Sequence, residues 1–211
     1  MNLSSGISSV IPGVRGAVLE VLGRTSEPLS GRSVAELVGE KASVKGVYLV
    51  LRSLAAEGII DAKESPSAIF YQLNRDHLAA ESIVGLANLR GRLIDAIESS
   101  VASWPVPVYG AWIFGSFARG TAGPQSDIDI LVVRPDGTAI DDNHWRMQLR
   151  DAAHTITRWS GNDCRIIEFS REEFSQLFEN NDRLARELRS DALALTARRL
   201  PVRTSVKSGS R

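Results

Sequence analysis

A chain of 211 residues with 25 basic and 25 acidic side chains has room for one or two cores and carries no global field that would draw it onto nucleic acid, so any DNA contact has to be local. No apolar run approaches the roughly 20 residues of a membrane span, and the first thirty residues lack the pattern of a secretion signal, so the protein is expected in the cytoplasm, away from membranes. The single cysteine, Cys164, excludes an internal disulfide and a cysteine-rich zinc cluster and reads as a small buried side chain.

Val14, Val18, Leu19 and Leu22 recur at helical spacing before Gly23, which predicts a first helix near 13–23. Ser30 or Ser33 would cap a second, with Val34, Leu37 and Val38 on its apolar face. After Lys41 and Ala42, the positions Val44, Val47, Tyr48, Leu51, Leu54 and Ala55 keep the same period as far as Gly58 and predict a third helix near 43–57. Ile59-Ile60 and Ile69-Phe70-Tyr71 flank Glu64-Ser65-Pro66, which is hairpin chemistry.

Three helices followed by a hairpin is the order of a winged helix-turn-helix, and residues 12–75 resemble the winged helix domains of bacterial transcription regulators. In that resemblance the stretch 43–54 takes the place of the recognition helix, which implies that Ser43, Lys45 and Arg52, with Tyr48 at the border of the apolar face, enter the major groove of duplex DNA. The near-balance of acidic and basic residues leaves a docking or dimerisation role open. A homodimer reading paired half-sites is the expected assembly.

From Asp76 to Ser103 a stripe of Leu78, Ile83, Leu86, Leu89, Leu93, Ile97 and Val101 predicts a linking helix over 76–104, bent at Gly85 or Gly91 and ended by Pro105 and Pro107. A domain over 105–200 then begins with an apolar strand, 108–114. Gly115-Ser116 follows, opening a short helix, and after it come a glycine-rich loop and a second strand that starts with Asp127 and Asp129. Without a Cβ, Gly115 lets a phosphate approach the backbone, and Ser116 adds a hydroxyl where helical N–H groups are free. Alternate residues of a strand share a face, so Asp127 and Asp129 point the same way at roughly 6.5–7 Å between Cα atoms. A hard, oxygen-only pair of that kind suits magnesium or manganese bridging a triphosphate.

Gly115-Ser116, the intervening loop and Asp127-Ile128-Asp129 before an apolar strand resemble the signature of the polymerase-β-like nucleotidyltransferase superfamily, close to its minimal members and similar to the aminoglycoside nucleotidyltransferases. The resemblance implies that Gly115 and Ser116 contact the phosphates of an NTP, with ATP the expected nucleotide, that Asp127 and Asp129 ligate the metal, and that Arg119 touches phosphate. It also asks for a third carboxylate on a later strand, acting as general base on an acceptor hydroxyl of a small molecule or a protein. Glu168 is the preferred candidate and Asp163 the second, while distance to the following helix aligns Arg165 there instead. The function expected first is magnesium-dependent transfer of a nucleoside monophosphate from the NTP to that acceptor hydroxyl; the alternative is a DNA-binding regulator that senses nucleotide without transferring it. An acid pointing at Asp127 and Asp129 would favour the first, and Arg165 pointing there the second.

A helix over 142–159 carries Trp145, Leu149, Ala152, Ile156 and Trp159 as packing residues. His77, His144 and His154 have no metal-ligand spacing. One or two amphipathic helices over 171–197, broken near Asn180-Asn181-Asp182, precede a basic tail over 201–211 expected to be disordered. The fold class expected is therefore α+β: a winged helix domain, a linking helix and an α/β nucleotidyltransferase domain with a short mixed sheet.

Overall fold

A computed structural model describes residues 1–197 and 200, and the chain divides into two compact units, Met1–Arg92 and a second beginning at Leu93. The tail expected over 201–211 lies outside the described residues.

In the first unit a turn of 3-10 helix at Gly6–Ser9 precedes helix α1 (Gly13–Gly23), strand β1 (Leu29–Ser30), helix α2 (Gly31–Val38), a second such turn at Gly39–Lys41, helix α3 (Val44–Ala56), strands β2 (Ile60–Glu64) and β3 (Ile69–Leu73), and helix α4 (Ala80–Ala87). Side-chain caps set two of the helix starts: Ser30 accepts from the Ser33 amide at 3.0 Å and Ser43 from the Gly46 amide at 3.1 Å. The three strands form an antiparallel sheet in the order β1-β3-β2, with Leu29 opposite Tyr71 and Ile60 opposite Leu73. Val18, Leu22, Val34, Val47, Leu51, Leu54 and Leu73 make its core. Leu37 is not among them; Val34 and Val38 already fill the inward face one turn apart, and Leu37 is 64% exposed. Within α1 the buried Glu20 accepts a hydrogen bond from the Ser5 hydroxyl and pairs with Arg24 at 2.8 Å and Lys41 at 3.6 Å, which offsets the cost of removing its charge from water.

The linking helix is two helices, α4 and α5 (Leu89–Ala102), and the break falls at Asn88 rather than at either glycine. The Asn88 carboxamide donates to the Val84 carbonyl at 2.9 Å, the side-chain-to-backbone bond by which asparagine ends a helix. Residues 74–79 stay in turns because Asn74 accepts from the Asp76 amide and His77 Nδ1 from the Ala79 amide, and Leu78 is fully exposed there.

The second unit adds β4 (Gly110–Phe114), α6 (Gly115–Arg119), β5 (Ile128–Val133), α7 (Asn143–Ser160), β6 (Cys164–Phe169), α8 (Arg171–Glu179), α9 (Arg183–Asp191) and β7 (Leu193–Ala194). Its sheet has the order β6-β5-β4-β7; β5 and β6 run parallel and the other pairs antiparallel, a short mixed sheet. Strand β7 replaces the end of the helix expected over 171–197, because Leu193 and Ala194 find free edge groups on β4 beside Ile113 and Trp112. One face of the sheet packs Trp112, Leu131 and Val133 against Phe174, Leu177, Phe178 and Leu188 of α8 and α9. Helix α7 covers β6 from the other face with Trp145 fully buried, whereas Trp159, expected to pack, is 48% exposed near its end.

The Trp112 ring stacks on Phe174 with centroids 5.1 Å apart and is buried from water. Trp112→Ala is therefore expected to cost about 3–5 kcal/mol of stability, read as a lower urea midpoint for the second unit. An unchanged midpoint would mean that the two faces hold together without this contact.

Candidate functional site

Strand β4 ends where the site begins. Phe114 pairs with Asp129 across the antiparallel ladder, and Gly115, the next residue, turns away with φ 74°. A Cβ at Gly115 would stand 2.8 Å from Asp129 Oδ2, so glycine is required twice, by its left-handed backbone and by the carboxylate against it. Ser116 follows in the five-residue helix α6 and is half-buried, and its carbonyl accepts from the Thr121 amide at 3.0 Å, closing the turn over the helix.

Asp127 stands one residue before β5, and the strand's alternation gives it the face of Asp129, Leu131 and Val133. Its position is fixed from below. The buried Asn162 carboxamide donates to the carbonyls of Pro124 at 3.2 Å and Ser126 at 2.9 Å, and the Ile128 amide donates to the Asp163 carbonyl at 2.8 Å. Ser126 in turn accepts from the Gly123 amide at 2.9 Å, so the loop is held at both ends. Neither Asn162 nor its neighbour Ser160 bears on chemistry by residue type, and only the tertiary contact identifies Asn162 as a support of the site.

The parallel register pairs Asp129 with Arg165. Arg165 Nη1 lies 2.9 Å from Asp127 Oδ2, with the arginine side chain 70% exposed and the aspartate 27% exposed. Glu168 is the correction. It pairs with Val132, on the face opposite the two aspartates, where it accepts from Arg134 at 2.9 Å and from the Trp145 indole N–H. A carboxylate bound there packs α7 onto the sheet and does not reach an acceptor beside Asp127. Asp163 sits opposite Asp127 at the mouth of β6 and is exposed. Arg119, expected on phosphate, pairs with Asp191 of α9 at 3.5 Å.

Burial pushes the Asp129 carboxyl above its ordinary value, the Asp127 charge adds to this, Arg165 opposes it, and Glu187 of α9 raises it further. Glu187 lies far along the chain from the motif, and no spacing in the sequence marks it. Burial also pushes the Cys164 thiol, with the Asp129 charge acting in the same direction, up to about 12.

Two like charges forced together on a half-buried strand end are what a divalent cation relieves. No group of three or more possible ligand side chains is present among the described residues, so a divalent ion here would have the Asp127 and Asp129 carboxylates from the protein and would take its remaining positions from phosphate and water. That is the usual way magnesium is held at nucleotide sites, and the donor set fits it.

Of the residues expected at DNA, Lys45 and Arg52 project from α3 into solvent. The Ser43 hydroxyl is engaged as the helix cap, and the Tyr48 ring lies against Gly31 at the start of α2.

Residues 94–185 match the family model of the nucleotidyltransferase domain, and the match supports a transferase activity at the level of the family. No curated protein matches the chain. Among solved structures, a toxin-antitoxin with AMP-PNP is 16% identical, with a TM-score of 0.35 over 49% of this chain and 72% of that one. Human N-acetylserotonin methyltransferase in complex with SAM is 18% identical, with a TM-score of 0.27 over 43% of this chain and 30% of its own. Likenesses this low bear on neither fold nor function. No helix among the described residues is long and apolar enough to cross a membrane.

The raised Asp129 carboxyl carries a sign. The native state binds that proton more tightly than the unfolded chain, so stability is highest below the unfolded value and falls as pH rises through the folded one. Metal-free Asp129→Asn should melt above wild type at neutral pH, and the gap should close as pH drops below the ordinary value of 3.8. A gap of equal size at both ends of a pH series of thermal melts would place the strain elsewhere.

Proposed function

We propose that the second unit binds a nucleoside triphosphate, ATP in the first instance, against Gly115 and Ser116, with magnesium or manganese held by Asp127 and Asp129, and that the first unit is a winged helix that binds duplex DNA. The chain is then a regulator that ties DNA binding to nucleotide. The observation that carries the nucleotide site is the convergence of the left-handed Gly115 on Asp129, with Asp127 on the same face of the strand. Bound there, the ion would neutralise phosphate charge. The missing side chain of Gly115 lets the Asp129 carboxylate close against the backbone at the turn, and the Asn162 clamp keeps Asp127 in place.

Arg165 favours holding the nucleotide over transferring it, since the residue that β6 places beside Asp129 is a cation, where activating an acceptor hydroxyl asks for an acid. The second reading is transfer of a nucleoside monophosphate to a hydroxyl on a small molecule or an acceptor protein, with release of pyrophosphate. The match of residues 94–185 favours it, and Asp163 would then have to act as the base.

In calorimetry, magnesium should strengthen NTP binding to wild type, and Asp127→Asn combined with Asp129→Asn should abolish that coupling. Equal affinity in both proteins, with and without magnesium, would sink the site. In parallel, wild type incubated with labelled NTP and candidate acceptors should show no transfer. If it transfers, and Asp163→Asn slows it by about 10²-fold or more, the second reading replaces the first.

The winged helix reading is supported by the order α1, β1, α2, α3, β2, β3 with the sheet order β1-β3-β2, and by the exposed Lys45 and Arg52 on α3. Lys45→Ala and Arg52→Ala should each weaken binding to a duplex selected from a random pool, and affinity should fall as salt rises because phosphate contacts release counterions. Failure to enrich any duplex at low salt would return α3 to a docking role.

A further inference from the structure

Arg165 and a divalent ion have claims on the same carboxylate. The guanidinium is bound to Asp127 at 2.9 Å and stands in register beside Asp129, so Asp127 cannot turn both of its oxygens to a shared cation while that bond persists. The arginine is 70% exposed and the aspartate 27%, so the guanidinium can leave into water and the contact is exchangeable rather than structural. When the guanidinium leaves Asp127 it remains tethered to the rim of the site. Its planar fork matches the oxygens of a phosphate.

Resting on the metal and nucleotide site proposed above, we propose that Arg165 is an exchangeable counter-ion: it holds Asp127 while the site lacks nucleotide and moves to the triphosphate when nucleotide and metal bind together. Metal alone then has to break an ion pair without compensation. Nucleotide supplies the guanidinium with a new partner and lowers the cost of releasing Asp127. Arg165 is thereby a phosphate-binding residue and also the reason that metal and nucleotide bind cooperatively.

The test titrates manganese into the full chain, with binding read from the spin resonance of the free ion, in the absence and presence of a non-hydrolysable ATP analogue. Without nucleotide, Arg165→Ala and Arg165→Met should bind manganese about two- to fivefold more tightly than wild type, the range an exposed ion pair is worth. The factor by which the analogue strengthens manganese binding should shrink in both variants. Arg165→Met keeps the aliphatic stem, so agreement between the two separates lost charge from lost packing. Manganese binding no tighter in either variant, or an undiminished factor, overturns the proposal. The Asp127→Asn and Asp129→Asn double variant tells the two failures apart. If it binds manganese as wild type does, the metal site is wrong; if it loses manganese while the arginine variants match wild type, only the role of Arg165 is wrong.

Discussion

The acidic end of the second sheet is governed by the register in which β6 pairs with β5. Because the strands run parallel with Asp129 beside Arg165 and Val132 beside Glu168, alternation sends the arginine to the face of the aspartates and the glutamate to the face of α7. A slip of one residue would exchange them, and with them the chemistry available to the site. What resists the slip is polar and buried. Asn162 spans from the mouth of β6 to two carbonyls of the glycine-rich loop, and on the far side Glu168 is held by Arg134 and the Trp145 indole. Moving the register would strand these groups away from water, which costs more than any of the exposed ion pairs supplies.

The parts of the site that were legible from the amino-acid sequence are those fixed by local geometry. Gly115 beside Asp129, and Asp127 sharing the face of Asp129, follow from a turn and an alternation within a single stretch of chain. The third position depends on a strand that arrives through an 18-residue helix, α7, and its register is a tertiary fact. Glu168 fits by residue type, but the register puts it one step of the pleat away from the face of Asp127 and Asp129. The same division holds for the fold. The cap at Ser30 and the periodicity of α1 and α3 are local and could be read, whereas Ser43, expected at DNA, caps α3, and β7 exists because β4 has an open edge, with nothing in Leu193-Ala194 to announce a partner. At Asn88 the deciding signal was local but outweighed: two glycines nearby looked like weaker helix than the asparagine whose side chain ends it.

The two units treat their charged groups differently. In the first, Glu20 is buried and fully engaged by Ser5, Arg24 and Lys41, a fixed element of the core, while Lys45 and Arg52 on α3 stay in solvent. In the second, Asp129 is partly buried beside the like charge of Asp127, and its raised carboxyl records first the burial and then the repulsion. A group held at a disadvantage in the free protein gains most from a ligand of opposite charge, so the strain at the strand end is a reason to look for ligands there and not at Glu20.

Cys164 lies between the Asn162 clamp and Arg165, at the position of β6 that pairs with Ile128. Burial keeps its thiol protonated at about 12, so a thiol-directed reagent meets almost no nucleophile while the strand is docked. As the chain's lone cysteine, half-buried at the start of β6, it is a built-in probe of this end of the sheet: the rate at which a maleimide or disulfide reagent consumes it reports how strongly its surroundings hold the thiol. A cation on Asp129 would remove the charge that helps to hold the thiol protonated, so occupancy of the acidic end reaches the sulfur without touching it, and no label needs to be engineered to watch it.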